Sequence, residues 1–337
     1  MAPEIETPNA LLGASPSVSV VIPAFNQTHT LARCLHSLFA QEYPKDRYEI
    51  VVVDDGSTDD TAKEAQRLAD QASASVRILR KPNGGPASAR NAGIRASTAD
   101  IIAFMDADCA AEPDWLNHLV SALTISGAAG VGGPIVNHVP RGWVADYLTS
   151  GNFFRHRVRR GQVDYLLTAN VVFRRSALLE VGGFAQYEGV WGEDADLSFR
   201  LKQAGHCLIL ARQGLVTHFG TPANVRSLAR ELYRYGRGNA ILSSTWKNGR
   251  NPASELMRHG VAVELAVWLA LARTRVPGMS LLRAVSFWPL ILVEHGSFMC
   301  GMVAGLLRRR KAKSSSLTAL SRNQTVRSTA RWTKAAK

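Results

Sequence analysis

Residues 49–61 have the sequence EIVVVDDGSTDDT, a short run of β-branched residues that stops at two aspartates and a turn. Such a run is typical of a strand buried on both faces of a parallel sheet, and Ser57 or Thr58 is expected to cap the helix that follows. Similar runs occur in VSVVIP (18–23) and DIIAFMDAD (100–108), with helical spacing of apolar residues between the runs. This alternation predicts an α/β fold with a parallel central sheet.

Acidic residues lie at the carboxyl ends of these predicted strands. Asp54 and Asp55 end one strand, and Asp106 and Asp108 end another. Ligands of open parallel sheets bind at this edge. Side chains at alternate positions of a strand point to the same side, so a D-x-D pair can hold Mg²⁺ or Mn²⁺, which neutralises a diphosphate. An isolated D-x-D is more often a turn or a helix cap, and the surrounding motifs must decide between the two.

The composition limits the class of protein. The chain has 337 residues and 20% charged residues, with a mean hydropathy of −0.05, which excludes a disordered chain and a polytopic transporter. Residues 1–17 lack the basic and apolar regions of a secretory signal, so we expect a disordered start in the cytosol. No G-x-G-x-x-G follows the first strand, which disfavours a dehydrogenase. The four cysteines have no metal-binding spacing and are predicted to be buried thiols: Cys34, Cys109, Cys207 and Cys300.

Five motifs occur in a fixed order along the chain. They are VVIPAFN (20–26), VVVDDGSTDDT (51–61), FMDAD (104–108), TANVVFRRSALLEVGGF (168–184) and GEDADLSFRL (192–201). In this order they closely resemble the family 2 glycosyltransferases, which are inverting enzymes that use nucleotide-sugar donors. The resemblance covers about residues 17–240. It implies a GT-A fold, in which helices flank a Rossmann-like, mostly parallel central sheet.

The resemblance assigns a donor site. The positions that match the nucleotide-sugar pocket are Pro23, Ala24, Asn26, Asp55, Gly84, Arg90 and Asp106. Asp55 resembles the carboxylate that contacts the base or the ribose, and Asp54 is interpreted as a turn residue that holds Asp55 in place. Residues 83–91 match a segment that closes over the donor. Two alternatives stay open for Arg90, namely contact with a phosphate and an ion pair with an aspartate.

The resemblance also assigns a metal site and a catalytic base. Asp106 and Asp108 match the metal-binding D-x-D, with Asp108 as the direct ligand and Asp106 nearer the ribose and diphosphate; the expected cofactor is Mg²⁺ or Mn²⁺. His218 matches a histidine near the metal or the diphosphate and is assigned to the metal, with a structural histidine as the alternative. Asp194 matches the base, since inversion requires a carboxylate to take the proton of the attacking acceptor hydroxyl. The metal and nearby donors stabilise the leaving group, so no second acid is required.

Several further residues are assigned to the acceptor or the diphosphate, each with a structural alternative. Trp191 is either a platform for an acceptor sugar or a core residue. Glu193 is either part of the site or a helix-start acid that suits the helix dipole. Arg234 and Arg237 gate the active site, hold the diphosphate or form a solvated basic helix face. The basic segment at residues 153–160, FFRHRVRR, either binds the diphosphate head group of a lipid or forms a basic loop.

Two apolar segments follow the matched region. VAVELAVWLAL (261–271) is shorter than the roughly 20 residues that a spanning helix needs, and residues 284–307 are interrupted by Pro289, Glu294 and His295. We predict helices that lie in the membrane interface or form a re-entrant hairpin. Two poor spans and ordinary core helices are the alternatives.

The net charge of +13 is concentrated at one end of the chain. Residues 308–337 contain ten Lys or Arg and no acid, which leaves +3 for the first 307 residues. A basic tail after an apolar segment indicates binding to the anionic cytoplasmic leaflet of a membrane. A single membrane-spanning helix would place that tail outside the cell, against the positive-inside rule. We therefore expect no nucleic-acid partner. The sequence does not determine the oligomeric state.

These observations predict four regions: a disordered N-terminus (1–16), a GT-A domain (17–245), an apolar membrane-associated region (246–307) and a disordered basic tail (308–337). The predicted function is transfer of one sugar from a UDP-linked donor to a hydroxyl of a lipid-linked saccharide, at the cytoplasmic face of the membrane, during exopolysaccharide synthesis. Processive synthases carry Q-x-x-R-W after the catalytic core, and this chain lacks the Gln and the Trp there. A single transfer is therefore favoured, and a processive synthase is the alternative. A non-catalytic membrane-binding protein of this fold is the alternative of another class.

Overall fold

A computed structural model describes residues 15–138, 142–150, 158–159, 161–186, 192–246 and 286–307. Its first half alternates strands and helices, as the sequence pattern predicts. The elements are β1 (Val18–Ala24), α1 (Thr28–Phe39), a 3-10 turn (Lys45–Arg47), β2 (Tyr48–Asp54), α2 (Thr61–Ala69), β3 (Ser75–Arg80), α3 (Pro86–Ala96) and β4 (Ile101–Phe104). These four strands are parallel in the order β3-β2-β1-β4, which places their carboxyl ends at one edge.

The second half is less regular. Its elements are β5 (Cys109–Ala111), α4 (Trp115–Ser126), β6 (Gly130–Gly132), β7 (Ile135–Asn137), α5 (Trp143–Ser150), β8 (Val158–Arg159), β9 (Gln162–Val163), β10 (Val171–Arg174), α6 (Arg175–Glu180), α7 (Glu193–Gln203), β11 (Leu208–Leu210), β12 (Val216–His218), α8 (Val225–Thr245) and α9 (Trp288–Leu307). Within the described ranges, nine strands form one sheet in the order β3-β2-β1-β4-β10-β6-β11-β9-β8. β10 runs antiparallel to both of its neighbours, so the sheet is parallel over β1–β4 and mixed beyond them. A smaller sheet has the order β5-β12-β7.

The β-branched strands are buried on both faces of the large sheet. In β1, Val20 and Ile22 pack into the core on one side, and Val21 packs into the core on the other. Burial of each such side chain contributes about 1.5–3 kcal/mol. A Cβ at Gly93 of α3 would lie 2.3 Å from Val21 Cγ1, so a glycine is required for α3 to approach the sheet this closely.

The expected helix cap at Ser57 or Thr58 is wrong. α2 begins at Thr61, after Asp60. The two residues instead bind the loop after β1: the Asn26 N–H donates to Ser57 Oγ at 3.0 Å, and the Thr58 N–H donates to Asn26 Oδ1 at 2.9 Å. Hydrogen bonds to a distant loop therefore take the place of a local cap, and they hold the ends of β1 and β2 together.

The chain divides into two compact units. Residues up to 189 and Glu193–Ala223 form the first, and the second comprises Val190–Gly192 and the residues from Asn224 onwards. α8 belongs to the second unit, although it lies within the predicted domain 17–245. The predictions for residues 1–14, 247–285 and 308–337, which include the apolar segment 261–271 and the basic tail, fall outside the described residues and stay predictions.

α9 is a continuous helix through Pro289, Glu294 and His295, the three residues that interrupt the apolar stretch 284–307. Pro289 lies in the first turn, where its missing N–H costs no helical hydrogen bond. Glu294 and His295 lie within the helix. α9 is long and apolar enough to cross a membrane, and a third of its most apolar stretch is buried.

Glycines bring α8 and α9 into close contact within the second unit. A Cβ at Gly236 would lie 2.0 Å from the carbonyl oxygen of Phe298, and one at Gly301 would lie 2.1 Å from that of Tyr233. No real Cβ approaches a backbone oxygen so closely. The two helices can pack at this distance only because both positions lack a side chain.

We expect Gly236→Ala to destabilise the second unit by about 1–3 kcal/mol, the usual cost of overpacking. Thermal unfolding monitored by circular dichroism measures this effect. Gly296→Ala is the matched control, because nothing lies within 4 Å of the new Cβ and alanine stabilises a helix by about 1 kcal/mol over glycine. Equal melting temperatures for the two variants would contradict the close packing.

Candidate active site

Asp55 follows β2 at the carboxyl edge of the sheet and is buried. Its Oδ2 accepts hydrogen bonds from the Gly84 N–H at 3.1 Å and the Gly85 N–H at 2.7 Å, and its Oδ1 pairs with Lys81 Nζ. The carboxylate therefore binds the chain's own 81–85 segment. Gly84, which was assigned to the donor site, here positions Asp55 through its backbone.

Asp54 has the turn role predicted for it. Its Oδ1 accepts a hydrogen bond from the Ser57 N–H at 3.0 Å, and Arg80 Nε lies 3.2 Å from Oδ2. The side chain is fully buried. This hydrogen-bonded turn fixes the position of the next residue, Asp55.

The end of β1 forms the neighbouring wall. Pro23 pairs in register with Val53 of β2 and is half-buried. The Ala24 carbonyl accepts a hydrogen bond from the Asp55 N–H at 2.8 Å. Asn26 has a φ of +54°, a left-handed conformation that asparagine adopts more readily than most residues. The structure thus places Pro23, Ala24, Asn26 and Asp55 side by side.

Arg90 of α3 bridges two acids from distant parts of the chain. Its Nη2 donates to Asp106 Oδ1 at 2.8 Å, and its Nη1 donates to Glu193 Oε1 at 2.7 Å. The side chains of Arg90 and Glu193 are 5% and 7% exposed, whereas that of Asp106 is 32% exposed. Of the two alternatives left open for Arg90, the structure therefore contains the ion pair with an aspartate, and it adds Glu193.

The adjacent Asn91 fixes α3 against the segment after α6. Its amide exchanges two hydrogen bonds with the backbone of Phe184, at 2.7 and 2.8 Å. Gly183 has a φ of +69°, and a Cβ there would lie 2.5 Å from Asn91 Oδ1. Asn91 is thus a buried organising residue, and it holds the helix from which Arg90 reaches the two acids.

Asp108 and His218 lie together where β12 of the smaller sheet ends and β5 begins. His218 Nε2 is 3.5 Å from Asp108 Oδ2, and Asn137 Oδ1 is 3.2 Å from His218 Nδ1. Cys109 is the third member of the cluster: the ligand atoms of Asp108, Cys109 and His218 all lie within 4.8 Å of one another. Asp106 is outside this cluster, and one of its oxygens pairs with Arg90.

The surroundings of Asp106 and Asp108 shift the pKa values of their carboxyl groups in opposite directions. Burial raises the pKa of Asp106 above its usual value; the charge of Arg90 opposes this effect and that of Asp108 adds to it. Burial alone would also raise the pKa of Asp108, but interaction with His218 lowers it, and the net shift is downward. Burial and the nearby carboxylates Asp106 and Asp108 raise the pKa of the Cys109 thiol well above its usual range.

Asp194 lies in the first turn of α7, next to Glu193. Burial and the charge of Glu193 raise the pKa of Asp194 to about 7. One carboxylate oxygen accepts a hydrogen bond from the Ala195 N–H at 2.7 Å. The pKa of Tyr165 is raised to about 12, first by burial and then by the charge of Asp194. Asp194 is thus a carboxylate whose ionisation is poised near neutral pH.

The remaining predicted positions lie outside the described residues or in other elements. Trp191, residues 153–157 and Arg160 lie outside the described residues, and Val158–Arg159 form β8. Arg234 and Arg237 lie on α8 in the second unit.

The sequence analysis overlooked three residues: Cys109 and Asn137, which lie beside His218, and Tyr165, whose pKa is affected by Asp194. Cys109 directly follows the D-x-D, which was a usable signal. The positions of Asn137 and Tyr165 depend on tertiary folding and had no sequence signal. The expectation that all four cysteines are buried is also wrong, since Cys300 is exposed and Cys207 is half-buried.

Comparisons with known proteins identify the family. The sequence profile described as Glycosyl transferase family 2 matches residues 19–182, and that described as Glycosyl transferase family group 2 matches residues 101–307. The chain belongs to the family 2 glycosyltransferases. Glycosyltransferase AglE of Haloferax volcanii is 30% identical over 224 residues, which are 66% of this chain and 73% of AglE. Succinoglycan biosynthesis protein ExoU of Rhizobium meliloti is 33% identical over 233 residues, 64% of each chain.

A solved structure supports the fold of this glycosyltransferase. The mannosyltransferase PcManGT from Pyrobaculum calidifontis, in complex with GDP-Man and Mn²⁺, superposes with a TM-score of 0.62 at 20% identity, over 86% of this chain and 87% of that one. The predicted GT-A fold is confirmed. Among the described residues, the Asp108 and His218 donors are chemically suited to a divalent metal.

Proposed function

We propose that this glycosyltransferase moves a single sugar, with inversion, from a nucleotide-diphosphate donor, UDP-linked, to a hydroxyl of a lipid-linked saccharide in cell-surface polysaccharide synthesis. The observation that carries the proposal is the bridge Asp106–Arg90–Glu193, whose arginine is buried and which links the D-x-D segment to the helix that bears Asp194. The similarity to ExoU, a succinoglycan biosynthesis protein, supports the polysaccharide setting.

The donor nucleotide would bind at the carboxyl ends of β1 and β2, against Pro23, Ala24, Asn26 and Asp55. Asp55 is hydrogen-bonded to the 81–85 segment, so a base or ribose that donates to this carboxylate would replace part of that contact. The exchange would couple donor binding to movement of residues 81–85, which overlap the predicted segment 83–91 at residues 83–85.

The metal, Mg²⁺ or Mn²⁺, would be held by Asp108 and His218, with Asp106 on the ribose and diphosphate side. When bound, it would neutralise the charge that develops on the departing diphosphate. Asn137 orients His218 from the other ring nitrogen, the kind of support that metal-binding histidines require. Arg90 holds Asp106 and Glu193 in fixed positions beside this site.

Asp194 would take the proton of the acceptor hydroxyl while that oxygen attacks the anomeric carbon. A base is most effective when its pKa lies near the working pH, and a pKa of about 7 meets that condition. Glu193 contributes through its charge, which raises the pKa of Asp194, and through its bond to Arg90. Trp191 stays a predicted platform for an acceptor sugar, and Arg234 and Arg237 stay predicted ligands of the diphosphate.

The pH dependence of transfer follows from this assignment. A base must be deprotonated, so kcat/KM should rise about tenfold per pH unit below about pH 7 and level off above it. The measurement is initial transfer rate at low donor concentration across this range, with saturating metal. A rate that is flat between about pH 5 and about pH 8 would contradict the assignment.

Membrane association would come from the second unit. Exposed apolar residues recur on α9 at helical spacing: Trp288, Leu292, Met299, Val303, Leu306 and Leu307. On α8, Arg226, Arg230 and Arg234 are exposed at four-residue intervals, so they share one face. An apolar stripe combined with basic charge is typical of helices that lie at an anionic bilayer surface.

We expect the triple variant Leu292→Ser, Met299→Ser, Val303→Ser to lose most of its recovery with anionic vesicles in a flotation assay, because it removes much of the apolar stripe. Ile125→Ser is the matched control, since Ile125 is an equally exposed apolar residue of α4 in the first unit. Unchanged flotation of the triple variant would exclude insertion of α9 as the anchor.

The proposed activity is tested by a screen of nucleotide sugars with Mn²⁺ or Mg²⁺, using the full chain and lipid-linked saccharide acceptors, with products resolved by mass spectrometry. We expect metal-dependent addition of one sugar. Long products would favour a processive synthase. The absence of both transfer and donor hydrolysis with every donor would favour a non-catalytic binding protein.

A further inference from the structure

The cluster Asp108, Cys109 and His218 combines an oxygen, a sulfur and a nitrogen donor. The distance between Asp108 Oδ2 and His218 Nε2 is 3.5 Å, and that between Cys109 Sγ and Asp108 Oδ1 is 3.8 Å. Mg²⁺ and Mn²⁺ favour oxygen ligands, whereas a thiolate with an imidazole and a carboxylate favours Zn²⁺. The donor set therefore differs from what a magnesium or manganese site alone requires.

The small sheet builds this donor set. β5 and β12 are antiparallel, and Cys109 lies directly opposite His218. Directly opposite residues project from the same face of a sheet, which brings the sulfur and the imidazole together. Asp108 and His218 are 22% and 15% exposed, and Cys109 is buried behind them. An ion would thus enter between the first two ligands and meet the sulfur on the inner side.

Gly220 leaves room for an ion at this position. A Cβ there would lie 2.0 Å from Asp108 Oδ2 and 3.0 Å from His218 Nε2. The backbone after β12 therefore passes close over the two ligand atoms, and any larger residue would push them apart. Asn137 faces the other ring nitrogen of His218, which orients Nε2 towards Asp108.

We propose that Asp108, Cys109 and His218 bind Zn²⁺, and that Zn²⁺ thereby inhibits the transferase. Binding forms a zinc–sulfur bond and releases the thiol proton of Cys109 to solvent. Inhibition by Zn²⁺ rests on the proposed function: Zn²⁺ uses Asp108 and His218, which the catalytic ion also needs, so the two ions exclude each other. Asp106 keeps its contact with Arg90 and takes no part in the zinc site.

The first experiment measures metal binding by the full chain with no donor present. Zn²⁺ affinity is measured by competition with a chromophoric chelator, and Cd²⁺ is added as a probe because its bond to a thiolate absorbs in the near ultraviolet. Cys109→Ser should lower Zn²⁺ affinity by at least the 10–100-fold that loss of a supporting residue costs, and should abolish the cadmium–thiolate band. Cys34→Ser, which removes another buried thiol outside the cluster, should retain both.

A cadmium–thiolate band that is absent from the natural chain, or that persists in Cys109→Ser, would overturn the zinc site. If Cys109→Ser does not fold by circular dichroism, Cys109→Ala is measured in its place. The second experiment is transfer at fixed Mn²⁺ with increasing Zn²⁺. Zn²⁺ should inhibit transfer competitively with Mn²⁺. Inhibition that added Mn²⁺ does not relieve would overturn the proposed mode of inhibition. The binding experiment decides the site even if no transfer is found.

Discussion

Replacement of Asp194 by asparagine should lower kcat for sugar transfer by about 10²–10⁴-fold while leaving the KM for the donor almost unchanged. Asparagine keeps the shape of the side chain but cannot accept the proton of the acceptor hydroxyl. The loss should therefore fall on the chemical step, since Asp194 makes no contact assigned to the nucleotide. The measurement is initial rate with the donor and acceptor found in the screen.

The control for this variant is Asp114→Asn. Asp114 is the residue that precedes α4, so both substitutions remove a negative charge near the N-terminus of a helix, but Asp114 is exposed and lies outside the site. Its rate should be unchanged. Full transfer by Asp194→Asn would remove Asp194 from the role of base. A rise in donor KM with normal kcat would instead place this residue in donor binding.

Local patterns predict the elements of this fold because they depend on neighbouring residues. The β-branched runs form β1, β2 and β4, and the carboxylates Asp55, Asp106 and Asp108 follow them as the sequence indicates. The parallel order of these strands follows from the helices between them. The D-x-D and its place at the sheet edge could thus be predicted without coordinates.

The contacts that make the site specific depend on residues far apart in the chain. Arg90 and Glu193 are 103 positions apart, and no periodicity relates them. Cys109 meets His218 only because β5 and β12 pair in one register. The failed cap at Ser57 has the same origin, since its hydroxyl is hydrogen-bonded to the loop after β1. In each case tertiary pairing selects among partners that the local sequence allows equally.

Arg90→Met should destabilise the first unit by about 3 kcal/mol, because it leaves Asp106 and Glu193 without the cation that they share. Removal of one partner of a buried ion pair costs about 3–5 kcal/mol, and we expect the lower value since Asp106 is partly exposed. The melting temperature should fall by about 6–12 °C. Arg95→Met, on an exposed position of the same helix, should change stability by less than about 0.5 kcal/mol.

A second substitution separates charge from packing as the cause. If the loss in Arg90→Met arises from a buried carboxylate that has lost its arginine, then adding Glu193→Gln should recover part of the melting temperature, because the neutral amide costs less to bury than the anion. If Arg90 stabilises the unit mainly through its contact with Phe184, the second substitution should give no recovery. Arg90→Lys should also lose stability, since a single ammonium lacks the planar fork that reaches both acids at once.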